Sequence, residues 1–265
     1  MIECKELSKE FASKEDLFDA LRENANELIN IKRKTIKHAD SVMVATNESS
    51  NIATKADNSN SDELQVKLVI NTTNVIDSHK DVHVNGIWNK TVKENKNVIL
   101  LQEHQMKFDK VISDNVKASV KSYSFKDLGF NLDGETEALV FDTTISKNRN
   151  PFMFEQYKNG YVKEHSVGMQ YQKILLAYDS DRPEDSQYKE NYDTYLPYIA
   201  NKGDHNIDYF WVVKEAKMLE GSAVVKGSNS FTPTLEIKSE PFVDTQIKEE
   251  PIIEITQSRK KSLLI

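Results

Sequence analysis

Leu64, Val66, Leu68 and Ile70 alternate with polar residues, a period of two that predicts a strand. It opens the patterned part of the chain. A short apolar run at 98–101 leads into Gln102-Glu-His104, and strand-like segments follow at 116–125 and 138–145. Residues 151–158 carry the proline-first signature of a helix, which Asn159-Gly160 ends. Next comes a two-faced stretch, 161–171. Tyr161, Lys163, His165, Val167, Met169 and Tyr171 share one side, mostly apolar or aromatic. Val162, Glu164, Ser166, Gly168 and Gln170 share the other, which is small and polar around Ser166. A charged, tyrosine-rich insert, 179–206, has a helix beginning at Pro183, and 209–225 reads as a strand or a bent pair of strands.

The ends are different. Ser13 followed by Lys-Glu-Asp16 opens a helix with an N-cap serine and acids in its first turn. Phe18, Leu21, Ala25 and Leu28 form one stripe, suited to docking on the body or on a partner, and Lys32, Arg33, Lys34 and Lys37 gather near its C-terminus. Residues 46–62 are rich in Asn and Ser and read as a linker. All eight glycines lie between Gly86 and Gly227, so the tight turns belong to the middle, while three of the six prolines crowd into the tail. The expected fold is α+β, mostly β: an antiparallel β-barrel of about six or seven strands with peripheral helices. The expected division is an N-terminal helical extension (1–45), a polar linker (46–62), a barrel domain (63–227) and an extended tail (228–265).

Composition narrows the class. A formal charge of −7 argues against a dedicated nucleic-acid binder, whose footprint is a basic face. The single cysteine, Cys4, excludes an intramolecular disulfide and a cysteine-rich zinc site, and it fits a reducing compartment. No apolar run approaches the ~18 residues a membrane span needs, and the N-terminus lacks an apolar signal region.

Ser166 becomes a nucleophile only with a base in reach. His165, next to it, falls on the opposite face of a strand; His38 belongs to the N-terminal helix and His205 to the insert. His79 and His83 flank Asp81, with Asp77 nearby, and together form a candidate metal site, but no Glu/His set at helix spacing supports it and polar turn chemistry explains these residues more cheaply. His104 ends a buried-looking strand, where a rigid element meets a cleft.

Four segments then resemble the prohead serine proteases of tailed phages, a family related in fold to the herpesvirus capsid maturation protease, assemblin. Asp77-Ser-His-Lys-Asp81 with Val84-Asn-Gly86 and Trp88 looks like the family's early turn. Leu100-Leu-Gln-Glu-His104 followed by Lys110-Val-Ile112 looks like the segment of the catalytic histidine. His165-Ser166-Val-Gly168-Met looks like the nucleophile strand, and Leu219-Glu220-Gly-Ser222-Ala-Val224 like the strand of the acidic third member. The match covers roughly 64–233. It departs from the family at Ser113, where a glycine is common, and at 226–233, where the family has Pro-Ala-Asn.

The resemblance implies a serine endopeptidase with an assemblin-like barrel, Ser166 as nucleophile, His104 as base and Glu220 holding the imidazole. Glu215 is the rival acid, but strand alternation turns it to the other side. Oxyanion donors would come from amides near Gly168, with Arg149 as a side-chain candidate. The implied substrates are scaffold and major capsid protein segments inside the assembling procapsid in the host cytoplasm. The protein's own linker and tail would be cleaved too, and a homo-oligomer, but no cofactor, metal, membrane or nucleic acid, is expected. Two other classes compete: a non-enzymatic assembly protein with a barrel binding module, and a metal-dependent hydrolase built on His79, His83, Asp77 and Asp81.

Overall fold

A computed structural model describes residues 1–37, 61–204 and 207–239. His38, His205, nearly all of the expected linker and the tail from 240 onward lie outside the described residues. The strands are β1 (Ile2–Cys4), β2 (Lys9–Phe11), β3 (Ile36–Lys37), β4 (Glu63–Thr72), β5 (Asp81–His83), β6 (Leu100–Gln102), β7 (Val111–Ser113), β8 (Val116–Ser124), β9 (Glu135–Ser146), β10 (Glu164–Tyr178), β11 (Tyr209–Val224) and β12 (Thr234–Lys238). The helices are α1 (Lys14–Lys34), α2 (Asn89–Glu94), α3 (Pro151–Lys158) and α4 (Ser186–Tyr195).

The fold is α+β and mostly strand, but the expected barrel does not close. β3, β10, β11, β6 and β7 run side by side, and β5 also joins β11; β12, β4, β9 and β8 form a second, open sheet. Threonine hydroxyls bridge the sheets at two corners. At one, Thr143 Oγ1 on β9 donates to Ser113 Oγ at 2.8 Å. At the other, Thr234 Oγ1 donates to the Val162 carbonyl at 3.0 Å. The first sheet is also mixed: β5 and β6 both pair in parallel with β11. Two further differences concern element bounds. The expected strand over 161–171 begins only at Glu164 and runs on to Tyr178. Part of the expected tail belongs to the body, since β12 pairs with β4 and Phe231 is buried in a cluster with Phe125 and Phe130.

The spine of the molecule is the β10–β11 antiparallel ladder, paired from Glu164↔Val224 to Tyr178↔Tyr209. Apolar residues from β4, β9, β10 and β11 share one core cluster with the α1 stripe of Leu17, Phe18, Leu21, Ala25 and Leu28. The N-terminal helix is thus part of the same core. Ser13 caps α1, its Oγ accepting from the Asp16 N–H at 3.1 Å. The insert covers a smaller cluster of Ile76, Val82, Ala177, Phe210 and Val212, with Tyr192 and Tyr195 packed against it.

One lysine of the basic α1 terminus is not at the surface. Lys32 continues the Leu21–Ala25–Leu28 stripe by one turn and is only 4% exposed. Its Nζ lies 2.6 Å from Asp81 Oδ1 and 3.3 Å from Glu6 Oε1. Burial works against its charge, but the two acids outweigh it and hold its pKa above the ordinary lysine value. The other Asp81 oxygen accepts from Tyr171 Oη at 2.8 Å, which ties α1 to β10 through a buried ionic link. Removing one member of such a pair strands a buried charge. We expect Lys32→Met to cost about 3–5 kcal/mol in urea unfolding. The double variant Lys32→Met/Asp81→Asn should recover part of that loss; equal losses in the single and double variants would mean the ion pair is not the cause.

Candidate active site

β6 pairs in parallel with β11, Leu100 opposite Gly221 and Leu101 opposite Ser222, and this pairing carries the chain to His104. There it reverses in a tight turn closed by the Gln105 N–H donating to the Gln102 carbonyl at 3.0 Å. Glu103 and His104 both sit in the left-handed region, at φ 49° and 56°, without being glycine. Each such residue costs on the order of 1–2 kcal/mol and persists only where its surroundings enforce it. β11 does so: the Glu103 N–H donates to the Ala223 carbonyl at 2.9 Å, and the His104 N–H to Ser222 Oγ at 3.1 Å.

The imidazole is gripped as firmly as the backbone. His104 Nδ1 lies 2.6 Å from Glu220 Oε1, and the second carboxylate oxygen accepts from Ser222 Oγ at 2.6 Å. Glu220 is 1% exposed. A carboxylate on Nδ1 fixes the tautomer and makes Nε2 the ring nitrogen that would exchange protons.

Ser166 lies in the same patch. The β10–β11 register sets Ser166 opposite Ser222 and Gly168 opposite Glu220, so the four side-chain positions share one face of the ladder. Among the described residues no hydrogen bond joins Ser166 Oγ to His104. Gly168 has a specific steric reason. A Cβ there would sit 1.9 Å from Glu220 Oε1 and 2.8 Å from its Cδ, inside the space the carboxylate occupies on its way to His104. On the next position of β11, Gly221 makes room for Phe141 of the second sheet, whose ring would be 2.3 Å from a Cβ. The two glycines let β11 hold a carboxylate on one face and a core aromatic on the other.

Other sequence candidates go elsewhere. His165 is buried behind Ser166, its Nε2 3.0 Å from Tyr157 Oη and its Nδ1 3.0 Å from the Thr232 carbonyl. Glu215 forms surface ion pairs with Lys173 at 2.6 Å and Lys90 at 3.1 Å. Arg149 is engaged by the Phe108 carbonyl at 3.3 Å and Asp114 at 3.5 Å. Three of the four candidate metal ligands, Asp77, Asp81 and His83, have their side chains held in structural bonds, and His79 is tied to the same turn through its backbone N–H. Asp77 Oδ1 accepts the N–H groups of His79 and Asp81, at 2.8 and 2.9 Å, closing the turn. Asp81 is engaged by Lys32 and Tyr171, and His83 has Asn71 Oδ1 at 3.1 Å and Tyr171 Oη at 3.2 Å. No group of three His, Cys, Asp or Glu with metal-holding geometry occurs among the described residues.

Ser222 is the residue that sequence reasoning passed over. It stood in the quoted strand pattern with no role assigned. Its signal was its position, two residues beyond Glu220 and hence on the same face.

Comparison with protein-family models, with curated proteins and with solved structures finds no match.

Two expectations follow. Gly168→Ala should leave the fold intact, because the strand tolerates alanine, but displace Glu220 from His104. Any activity that depends on the pair should drop by up to about 10⁴, the scale seen when a triad acid is disabled. A crystal structure of the variant with the His104–Glu220 contact unchanged would refute the steric argument. The second concerns pH. Burial pushes His165 down to about 4 and His83 likewise to about 4, so both are neutral in the folded protein at pH 6. The unfolded chain takes up these protons near pH 6.5, so stability is full above that value and is lost as pH falls toward 4. Each contributes at most about 3 kcal/mol over that window. Urea unfolding between pH 7 and 4.5 should show a shallower loss for His165→Gln than for the unaltered protein.

Proposed function

We propose that this chain is a serine endopeptidase of the prohead maturation type, acting on scaffold and major capsid protein segments within the assembling procapsid. The observation that carries the reading is the His104–Glu220 pair seated over Gly168, with Ser166 one ladder step away on the same face. Acid, base and nucleophile come from three separate elements that meet on one strand pair.

On this reading, Ser166 Oγ attacks the peptide carbonyl while His104 Nε2 takes its proton and then delivers it to the leaving amine. Glu220 stabilises the imidazolium that forms between those steps. The backbone amides near Gly168 are the candidate oxyanion donors. Kinship with assemblin belongs to the same proposal and rests on the four sequence segments. Self-cleavage is directed to the linker, 46–62, and to the tail beyond β12, because residues 234–238 are committed to the β4 ladder. No helix among the described residues is long and apolar enough to cross a membrane.

The test is cleavage of purified capsid and scaffold segments. Ser166→Ala should lower kcat on the order of 10⁶ with the fold retained. An activated phosphonate should label Ser166 and no other serine. Equal cleavage by the Ser166→Ala protein would remove the assignment. Binding of capsid precursors with neither cleavage nor labelling would favour a non-enzymatic assembly protein.

A further inference from the structure

Ser222 makes two contacts that no other side chain of the site combines. Its hydroxyl donates to Glu220 Oε2 at 2.6 Å, and its oxygen accepts the backbone N–H of His104 at 3.1 Å. It is fully buried, at 0% exposure, and its strand position lies directly across from Ser166. A structural hydroxyl on a strand would ordinarily bond a nearby carbonyl. This one instead bridges a carboxylate and the turn that bears the histidine.

The geometry points to Ser222 as a positioning residue that couples the acid to the base; the inference rests on the serine-protease reading for its effect on rate. A carboxylate bound only through Oε1 is able to swing about its terminal bond, and the plane presented to Nδ1 swings with it. The Ser222 hydroxyl on Oε2 fixes that plane. The same oxygen anchors the His104 amide, so the left-handed turn and the carboxylate are set by one atom. The contact is also electrostatic. A donor on Oε2 draws charge away from Oε1, which tempers how strongly Glu220 stabilises a protonated His104.

Two consequences separate this role from simple packing. Losing the hydroxyl leaves the carboxylate charge more concentrated on the imidazole, so the His104 pKa rises and the acid limb of kcat/KM moves to higher pH. Losing the anchor relaxes the turn, so kcat falls while peptide binding is little changed.

The experiment compares the full chain with Ser222→Ala and Ser222→Thr by steady-state cleavage across pH. Rates are normalised to the folded fraction, with ¹⁵N-histidine NMR titration of His104 in parallel. Ser222→Ala should lose roughly 10- to 100-fold in kcat with KM within about twofold, the scale for a residue that orients rather than reacts. Its His104 midpoint should move up measurably, and Ser222→Thr, which keeps the hydroxyl, should recover most of both effects. If the His104 midpoint is unchanged in folded Ser222→Ala, the coupling role is overturned. So it is if the rate loss is fully explained by a smaller folded fraction. The titration does not require cleavage. A shifted midpoint in a protein that cleaves nothing would keep the Ser222 role and sink the protease reading, while normal cleavage with an unmoved midpoint would do the reverse.

Discussion

The site depends on an atom that residue 168 lacks. Because Gly168 has no Cβ, the Glu220 carboxylate lies flat across β10 and reaches the histidine of a third element. Strand pairing alone gives no such reach, since directly opposed side chains normally stand side by side off the sheet. Here one member of the pair is empty and the other folds into its space. The register shift between Gly168 and Met169 falls immediately beyond this pair, so the ladder is regular where the acid sits and bulged one step later. Bulges beside such positions re-aim side chains and add local twist. Gly221 repeats the device on the other face, where Phe141 of the second sheet presses on the β11 backbone. The candidate site and the contact between sheets are therefore adjacent residues of one strand.

From that point the dependencies run outward. His104 rests on a turn with two non-glycine residues at positive φ, enforced by hydrogen bonds from β11 and by the buried Leu100 and Leu101 of β6. Behind the ladder, Tyr171 hands β10 to Asp81, Asp81 to Lys32, and Lys32 to the N-terminal helix and Glu6. Glu6 in turn accepts from Tyr209 Oη and Trp211 Nε1, both at 2.7 Å, at the far end of β11. A helix that looks like an appendage in sequence is thereby fastened to both strands that form the site.

Much of this was legible in the chain. Period-two patterning located β4, β10 and β11, and the proline-first signature gave α3 its bounds. Alternation put His165 behind Ser166 and separated Glu220 from Glu215. Three things resisted. Barrel closure is a matter of edge-to-edge pairing, and nothing in local patterning distinguishes a closing ladder from two open sheets. Lys32 was grouped with the basic residues of the helix C-terminus because charge identity outweighed its place on the apolar stripe. β12 was lost in a proline-rich context whose composition resembles disorder, although Leu235 and Ile237 carry the strand pattern. Ser222 differs from these: its face was readable, but a hydroxyl's partner is set by atoms from two other segments.

Stability gives little reason for the arrangement around Glu220. A carboxylate at 1% exposure on a long, mostly apolar strand carries a desolvation cost of several kcal/mol. Hydrogen bonds to both its oxygens offset that cost without turning it into a gain, and well-packed apolar residues commonly replace such buried polar groups at no loss. The strained histidine turn adds a further cost of its own. A fold under selection for stability alone would shed both, and Gly168 with them, since glycine is a poor strand residue. Three unfavourable choices from three segments converge on one patch beside Ser166. Packing alone gives no reason for that convergence, and it is the physical basis of the proposal that the patch moves a proton.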